Sequence, residues 1–210
     1  MRKRREVGNY ATGLARREAI INSAAAHFLE SGYHKTPMKR IAVDVGVTEA
    51  GMLYHFPSKT HLLLAVLETR LDKSLALEGL LPADQDPLRA LRVILRVVEQ
   101  LAAKPGLMEL FMLLFAQAAD PASPAHEAFH RLYIQTARSL AADLKMAAEA
   151  GTVRTDLDFE RIAQECIAVS DGLQFQWVLM GGNFDLVGRF REYLRDVSRR
   201  VLVEGVSCEL

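Results

Sequence analysis

His126-Glu127-Ala128-Phe129-His130 spells H-E-x-x-H, a run whose residue types and spacing match a catalytic zinc site. On a helix the two imidazoles lie one turn apart on one face, and the glutamate between them is placed to activate a zinc-bound water. A hydrolase of that kind needs a third ligand, and Glu149 is the candidate downstream carboxylate. Nothing between Ala125 and Ala150 breaks a helix, so at ~1.5 Å per residue Glu149 stands about 28 Å from His130. Ser123-Pro124 just ahead also puts the motif at an exposed helix start. A zinc hydrolase is therefore only the alternative, and adventitious metal on His126 and His130 stays open. The sequence has no phosphate-cradling glycine loop, no nucleophile elbow and no cysteine set beside a recognisable histidine. The chain reads as a non-enzyme with no cofactor.

A second set could bind a small molecule. Met108, Phe111, Met112 and Phe115 crowd the segment LMELFMLLF, and the spacing predicts that they face Phe129, Tyr133 and a later helical face. That later face carries Cys166, Ser170, Gln174 and Trp177. Adaptable methionine and aromatic walls with a few polar groups suit a small, largely apolar effector. The same stripes at helical spacing also build plain core. Gln174 and Tyr133 stand out because burial of a polar group costs free energy unless something pairs with it.

A third set is the stretch TPMKRIAVDVGVTEAGMLYHFPSK, residues 36–59. Thr36 is placed to cap a helix whose first residue is Pro37, where the missing N–H costs nothing. Helix propensity runs to Val45, and Gly46 supplies a residue tolerant of positive φ. Thr48 caps a second short helix to about His55, Pro57 stops it, and Ser58 caps the next. Ile41, Val45, Val47, Met52 and Phe56 are spaced to converge, with small Ala42 where the two backbones come closest. The pattern is a helix-turn-helix, whose second helix is narrow enough for a DNA major groove.

Gly32-Tyr33, Thr36, Ile41-Ala42, Gly46-Val47-Thr48, and Tyr54-His55-Phe56-Pro57-Ser58-Lys59 with Leu62-Leu63 together resemble the N-terminal domain of TetR-type (TetR/AcrR) transcriptional regulators. The resemblance covers roughly residues 14–66. It implies a three-helix DNA-binding domain, a helical effector-binding domain, a homodimer, and a repressor that leaves a palindromic operator when a small molecule binds. Carried over by position, it puts Thr36 and Lys39 at DNA backbone or base contacts. Thr48, Glu49, Ala50 and Gly51 fall at the base-reading helix start, and Tyr54, His55 and Lys59 at phosphates. Two positions depart from the family. Leu53 stands where a phosphate-binding Tyr is common, and Glu49 where Lys, Arg or Gln is common. Glu49 either accepts from cytosine N4 or points to solvent.

The elements that must hold these groups read as all-α, about nine helices. Residues 1–12 lack apolar periodicity and include Arg-Lys-Arg-Arg, a flexible basic arm that either touches DNA or is an ordinary solvated terminus. Residues 13–60 form the DNA-binding domain and 61–210 a six-helix effector-binding and dimerisation domain. A first helix ends at Gly32; Arg16 and Arg17 lie toward its DNA-facing end. A long helix over 58–78 is the expected lever, followed by a break at 79–87. Helices are predicted at 87–103, 105–118 and 125–150, then from Asp156 or Asp158 to Met180, and over about 185–204. In 158–180 apolar residues lie on nearly every face, so one face wants a partner chain. With Phe190, Tyr193, Leu194, Val197 and Val201 of the last helix, this looks like half of an intersubunit four-helix bundle, or else the central helix of a monomer.

Charge agrees with one-ended DNA binding. The 210 residues carry 26 basic and 26 acidic side chains. Residues 1–60 hold ten of the basic ones (Arg2, Lys3, Arg4, Arg5, Arg16, Arg17, Lys35, Lys39, Arg40, Lys59) and five acidic ones. A basic head on an acidic body suits contact with a polyanion at one end. No window approaches the ~18 apolar residues of a membrane span. The N-terminus lacks the apolar run of a signal peptide, and two cysteines, Cys166 and Cys208, point to a reducing cytoplasm. A helical adaptor without DNA affinity is the remaining alternative.

Overall fold

The computed structural model describes residues 2–71, 85–206 and 210, with side chains for 13–70, 85–206 and 210. Among them the chain is all helix: α1 Arg2–Ser31, α2 Met38–Asp44, α3 Glu49–His55, α4 Lys59–Leu71, α5 Arg89–Ala102, α6 Pro105–Gln117, α7 Pro124–Glu149, α8 Phe159–Leu179 and α9 Leu186–Val201. The part of the lever expected over 72–78, most of the expected break, and Cys208 lie outside the described residues.

The arm expected at 1–12 is not set apart from the first helix, which begins at Arg2. Arg, Lys and Glu are good helix formers whatever their apolar spacing, and Gly8 and Gly13 cost only about 1 kcal/mol each inside a helix. Apolar periodicity detects the packed face of a helix, and its absence does not by itself exclude one.

Two compact units emerge: Met1–Lys73 with Leu113–His126, and Ser74–Met112 with Glu127–Leu210. The segment 113–126 groups with the first unit, where Thr60 Oγ1 donates to Gln117 Oε1 at 3.2 Å. A single cut at 60/61 is therefore not how the chain clusters. The core of the first unit is Ile20, Ala24 and Phe28 of α1, Ile41 and Ala42 of α2, Met52 of α3, Phe56, and Leu62, Leu63 and Val66 of α4, all buried.

In the second unit α5 packs on α8 and α9, and α8 on α9. Asp158 caps α8 by accepting from the Arg161 N–H at 3.0 Å, and Asp185 caps α9 from Gly188 at 2.8 Å. Arg154 N–H donates to the Val201 carbonyl at 2.9 Å, pinning the α7–α8 connection to the end of α9. Leu186, Phe190, Leu194, Val197 and Val201 are buried within this unit. The apolar stripe of α9, read as part of a half-bundle with 158–180, is thus buried within this unit. Its exposed side carries Glu192, Arg195, Asp196, Arg199 and Arg200.

Candidate nucleic-acid interface and candidate effector pocket

Gly46 takes φ +67°, and around it the Val47 N–H reaches back to the Ala42 carbonyl at 2.9 Å. That left-handed step lets α2 end and α3 begin with four residues between them. Thr48 then caps α3, its Oγ1 accepting from the Gly51 N–H at 3.0 Å. Ile41, Ala42, Met52 and Phe56 point inward as expected; Val45 and Val47 are half-buried. The outward face of α3 offers Glu49, Ala50, Leu53 and Tyr54, and Tyr54 is 86% exposed. Ser58 caps α4 through the His61 N–H at 3.3 Å.

Three expectations here need correction. Thr36 is 0% exposed, so it meets no DNA in this conformation. Its hydroxyl donates to the Gly32 carbonyl at 3.0 Å and the His27 carbonyl at 3.3 Å, joining the α2 approach to the end of α1. Nor is it the cap: Pro37 holds that position, in extended backbone, and no side chain caps α2. Proline cannot offer a side-chain acceptor, yet its fixed φ suits the entry. Lys59 is also not simply displayed. Its ammonium donates to the Tyr33 carbonyl and sits 4.3 Å from the Tyr33 ring centre. Partial burial lowers its pKa. Lys39, Arg40 and His55 keep outward access, and Arg17 lies over the Phe56 ring at 5.0 Å.

In the second unit, Phe111 of α6, Phe129 of α7 and Tyr133 of α7 form a file of rings, with centres 5.4 Å and 6.4 Å apart. Met108 and Met112 are buried on the same helix as Phe111. Tyr133 donates its hydroxyl to Asp171 of α8. Burial pushes Asp171 up to about 6, against a hydroxyl donation that pulls it down. Burial first, then the neighbouring carboxylate, raises Tyr133 far above the usual phenol range. One turn along α8, Gln174 is 3% exposed and donates to Ser170 Oγ at 2.7 Å, while its carbonyl oxygen has no partner.

Of the expected ligand residues, the structure brings Phe111 and Tyr133 together around Phe129, and Ser170 together with Gln174. Phe115 falls in the first unit. Trp177 is committed elsewhere: its Nε1–H donates to the Phe184 carbonyl at 3.1 Å, and a Cβ on Gly182 would meet its ring at 3.3 Å. It holds the turn after α8. Cys166 is buried against Tyr193 of α9, whose hydroxyl hydrogen-bonds it; burial pushes the thiol up to about 11. Asp171 is the group that sequence reasoning missed. Its signal was there: it is the single charged residue between Cys166 and Met180.

The H-E-x-x-H residues sit at the start of α7. His126 Nδ1 is 2.8 Å from the Ala118 carbonyl, His130 is exposed, and Glu149 ends the same unbroken helix. Among the described residues no group of three or more His, Cys, Asp or Glu could hold a metal ion, and no helix is long and apolar enough to cross a membrane.

Residues 20–66 match the pattern of bacterial regulatory proteins of the tetR family, and residues 89–203 that of the BetI-type transcriptional repressor C-terminal domain. The HTH-type transcriptional regulator RutR of Escherichia coli is 37% identical over 83 residues, 40% of this chain and 39% of RutR. The match thus spans about two-fifths of the length of that curated relative. A TetR transcription regulator from Haloarcula marismortui shares the fold at TM-score 0.72 and 20% identity, over 90% of this chain and 99% of the other. A transcriptional regulator from Saccharomonospora viridis, solved in complex with choline, does so at TM-score 0.66 and 23% identity, over 90% and 98%.

Proposed function

The chain belongs to the tetR family of bacterial regulatory proteins and is not an enzyme, and we propose that it is a cytoplasmic, homodimeric repressor released from a palindromic operator by a small molecule. The observation that carries this reading is α3. It is capped at Thr48, anchored by buried Met52, and turns Glu49, Ala50, Leu53 and Tyr54 outward. A helix held by one face and bare on the other is what major-groove reading requires. Lys39, Arg40, His55 and Tyr54 supply phosphate contacts around it, and Ala50 and Gly51 sit at the base-reading start. The first unit is the DNA-binding head; the second binds effector and pairs with its copy.

For pairing, the support lies on α8. Phe175, Leu179 and Met180 are 52%, 71% and 57% exposed, apolar surface that a second copy would cover. The dimer uses the helices at about 158–180 and 185–204, with the exposed charges of α9 at its rim. Two recognition helices then read successive major grooves about one DNA turn apart, and the 58–78 stretch carries the effector signal between units. A coupling of about 1–3 kcal/mol between effector and operator would give a 5- to 150-fold release.

The test is a selection of bound genomic fragments by the full-length protein, followed by a gel shift on the selected fragment. A single palindromic site bound by two chains is expected. Absence of any preferred fragment would leave the helical adaptor as the surviving reading.

A further inference from the structure

We infer that the effector is an organic cation bearing N–H donors on an apolar body, its charged end received by Asp171 and Gln174 and its body by Phe111, Phe129 and Tyr133. This rests on the regulator reading above and names the class of molecule that the second unit takes.

The polar groups of the cluster decide the class. Asp171 and Gln174 are three apart on α8, so they share one face of the helix. One Asp171 oxygen already accepts from the Tyr133 hydroxyl. Gln174 spends its amide N–H on Ser170, leaving a carbonyl oxygen that is buried and unmatched. Both groups therefore ask for donors. A neutral hydrocarbon-like effector would leave the Gln174 oxygen unpaired and the Asp171 charge uncompensated, and an anion would be repelled. A quaternary ammonium would satisfy the charge and the ring faces, but it has no N–H to give Gln174. A primary or secondary ammonium, or a guanidinium, satisfies all three.

Four cations of the elements packed against α8 pair with carboxylates other than Asp171. On α5 and α9, which pack against α8, Arg89 pairs with Asp143, Arg92 with Asp86, Arg191 with Glu99 and Arg200 with Glu165. From α7, Tyr133 meets Asp171 through its hydroxyl. Burial without a cation holds Asp171 half-ionised near pH about 6. An ammonium would restore the full carboxylate, so uptake tightens as pH rises through that value.

The experiment is calorimetric titration of the full-length protein with phenylbutylamine, phenylbutanol and the phenylbutyl-trimethylammonium ion, at about pH 7 and about pH 5. Near neutrality the amine is expected to bind at least about tenfold tighter than either analogue, the worth of a charge-assisted hydrogen bond. That advantage shrinks about tenfold at the lower pH as Asp171 takes its proton. Asp171→Asn should bind amine and alcohol alike. Should that variant not fold, the pH dependence in the unaltered protein decides alone. Equal binding of amine and alcohol, a preference indifferent to pH or to Asp171→Asn, or no binding of the three overturns the inference. Binding to the selected genomic fragment, measured on the same preparation, is independent of these outcomes. Its loss would remove the regulator reading and leave the amine preference intact.

Discussion

In the α2–α3 corner the side chains offered for binding point outward, and buried Thr36 spends its hydroxyl on two backbone carbonyls. In the α6–α7–α8 cluster the arrangement is inverted. The groups proposed for binding face inward, burial pushes the Asp171 carboxyl up, and Gln174 keeps an unmatched oxygen. A surface that meets a polyanion can leave its polar groups to water until the partner arrives. A pocket cannot, because each polar group placed there is desolvated in advance and waits for a ligand to complete it. The first region is thus stable without its partner, and the second carries a cost that its partner removes.

The largest effect expected from this contrast is on the anchor of the recognition helix. Met52 is fully buried, and Met52→Ala should cost about 2–5 kcal/mol. Thermal melting would show it, and DNA binding would fall with it. Tyr54→Ala, on the opposite face of the same helix, should change melting by no more than about 0.5 kcal/mol while still weakening DNA binding. Equal melting losses in the two variants would mean that α3 has no inside and outside, and the contrast would fail.

In the pocket the expected effect is smaller and depends on pH. Asp171 holds its proton more tightly when folded than its ordinary 3.8, at about 6. An acid of that kind favours folding below its unfolded pKa, and the benefit is lost as pH rises through the folded one. Between about pH 4 and pH 6 the protein should therefore lose on the order of 1–3 kcal/mol relative to Asp171→Asn, and stay level above. Melting of both proteins across that window measures it. Parallel curves would show that burial does not penalise the carboxylate.

Thr36→Val keeps the shape and removes the hydroxyl. With two carbonyls losing a shared donor, the expected loss is about 1 kcal/mol, read by denaturant midpoint at constant slope. The cap reading made from sequence predicts a similar number for a different reason, and hydrogen exchange separates the two. A lost cap would fray α2, whereas a lost strut would loosen the end of α1 near His27 and Gly32.

These particulars say what a sequence can and cannot disclose. The corner was legible because its signals are local: Gly46 for the turn, Thr48 three residues ahead of Gly51, Met52 and Phe56 at helical spacing. Thr36 misled because a threonine before proline looks the same whether its hydroxyl turns toward the helix ahead or the helix behind. Helix boundaries from α5 to α9 followed caps and prolines. The partners within the pocket did not, since Tyr133 meets Asp171 across 38 positions of sequence. Trp177 and Cys166 were drawn into the ligand set by their type, and tertiary packing had already spent them on Phe184 and Tyr193.

The smallest effects separate two lysines of the head. Lys39 is exposed on α2, whereas Lys59 is folded back on the Tyr33 carbonyl and ring. If each phosphate contact releases counterions independently, Lys39→Ala should flatten the salt dependence of DNA binding by about 0.9 in log–log slope, with melting unchanged within about 0.5 kcal/mol. Lys59→Ala should do the reverse, losing about 0.5–1.5 kcal/mol of stability as Tyr33 loses a charged donor, with a smaller change in slope. Equal slope changes would mean that Lys59 leaves Tyr33 for a phosphate when DNA arrives. The head would then resemble the pocket in holding a group whose best partner is absent from the free protein, and the line drawn between the two regions would have to move to include α4.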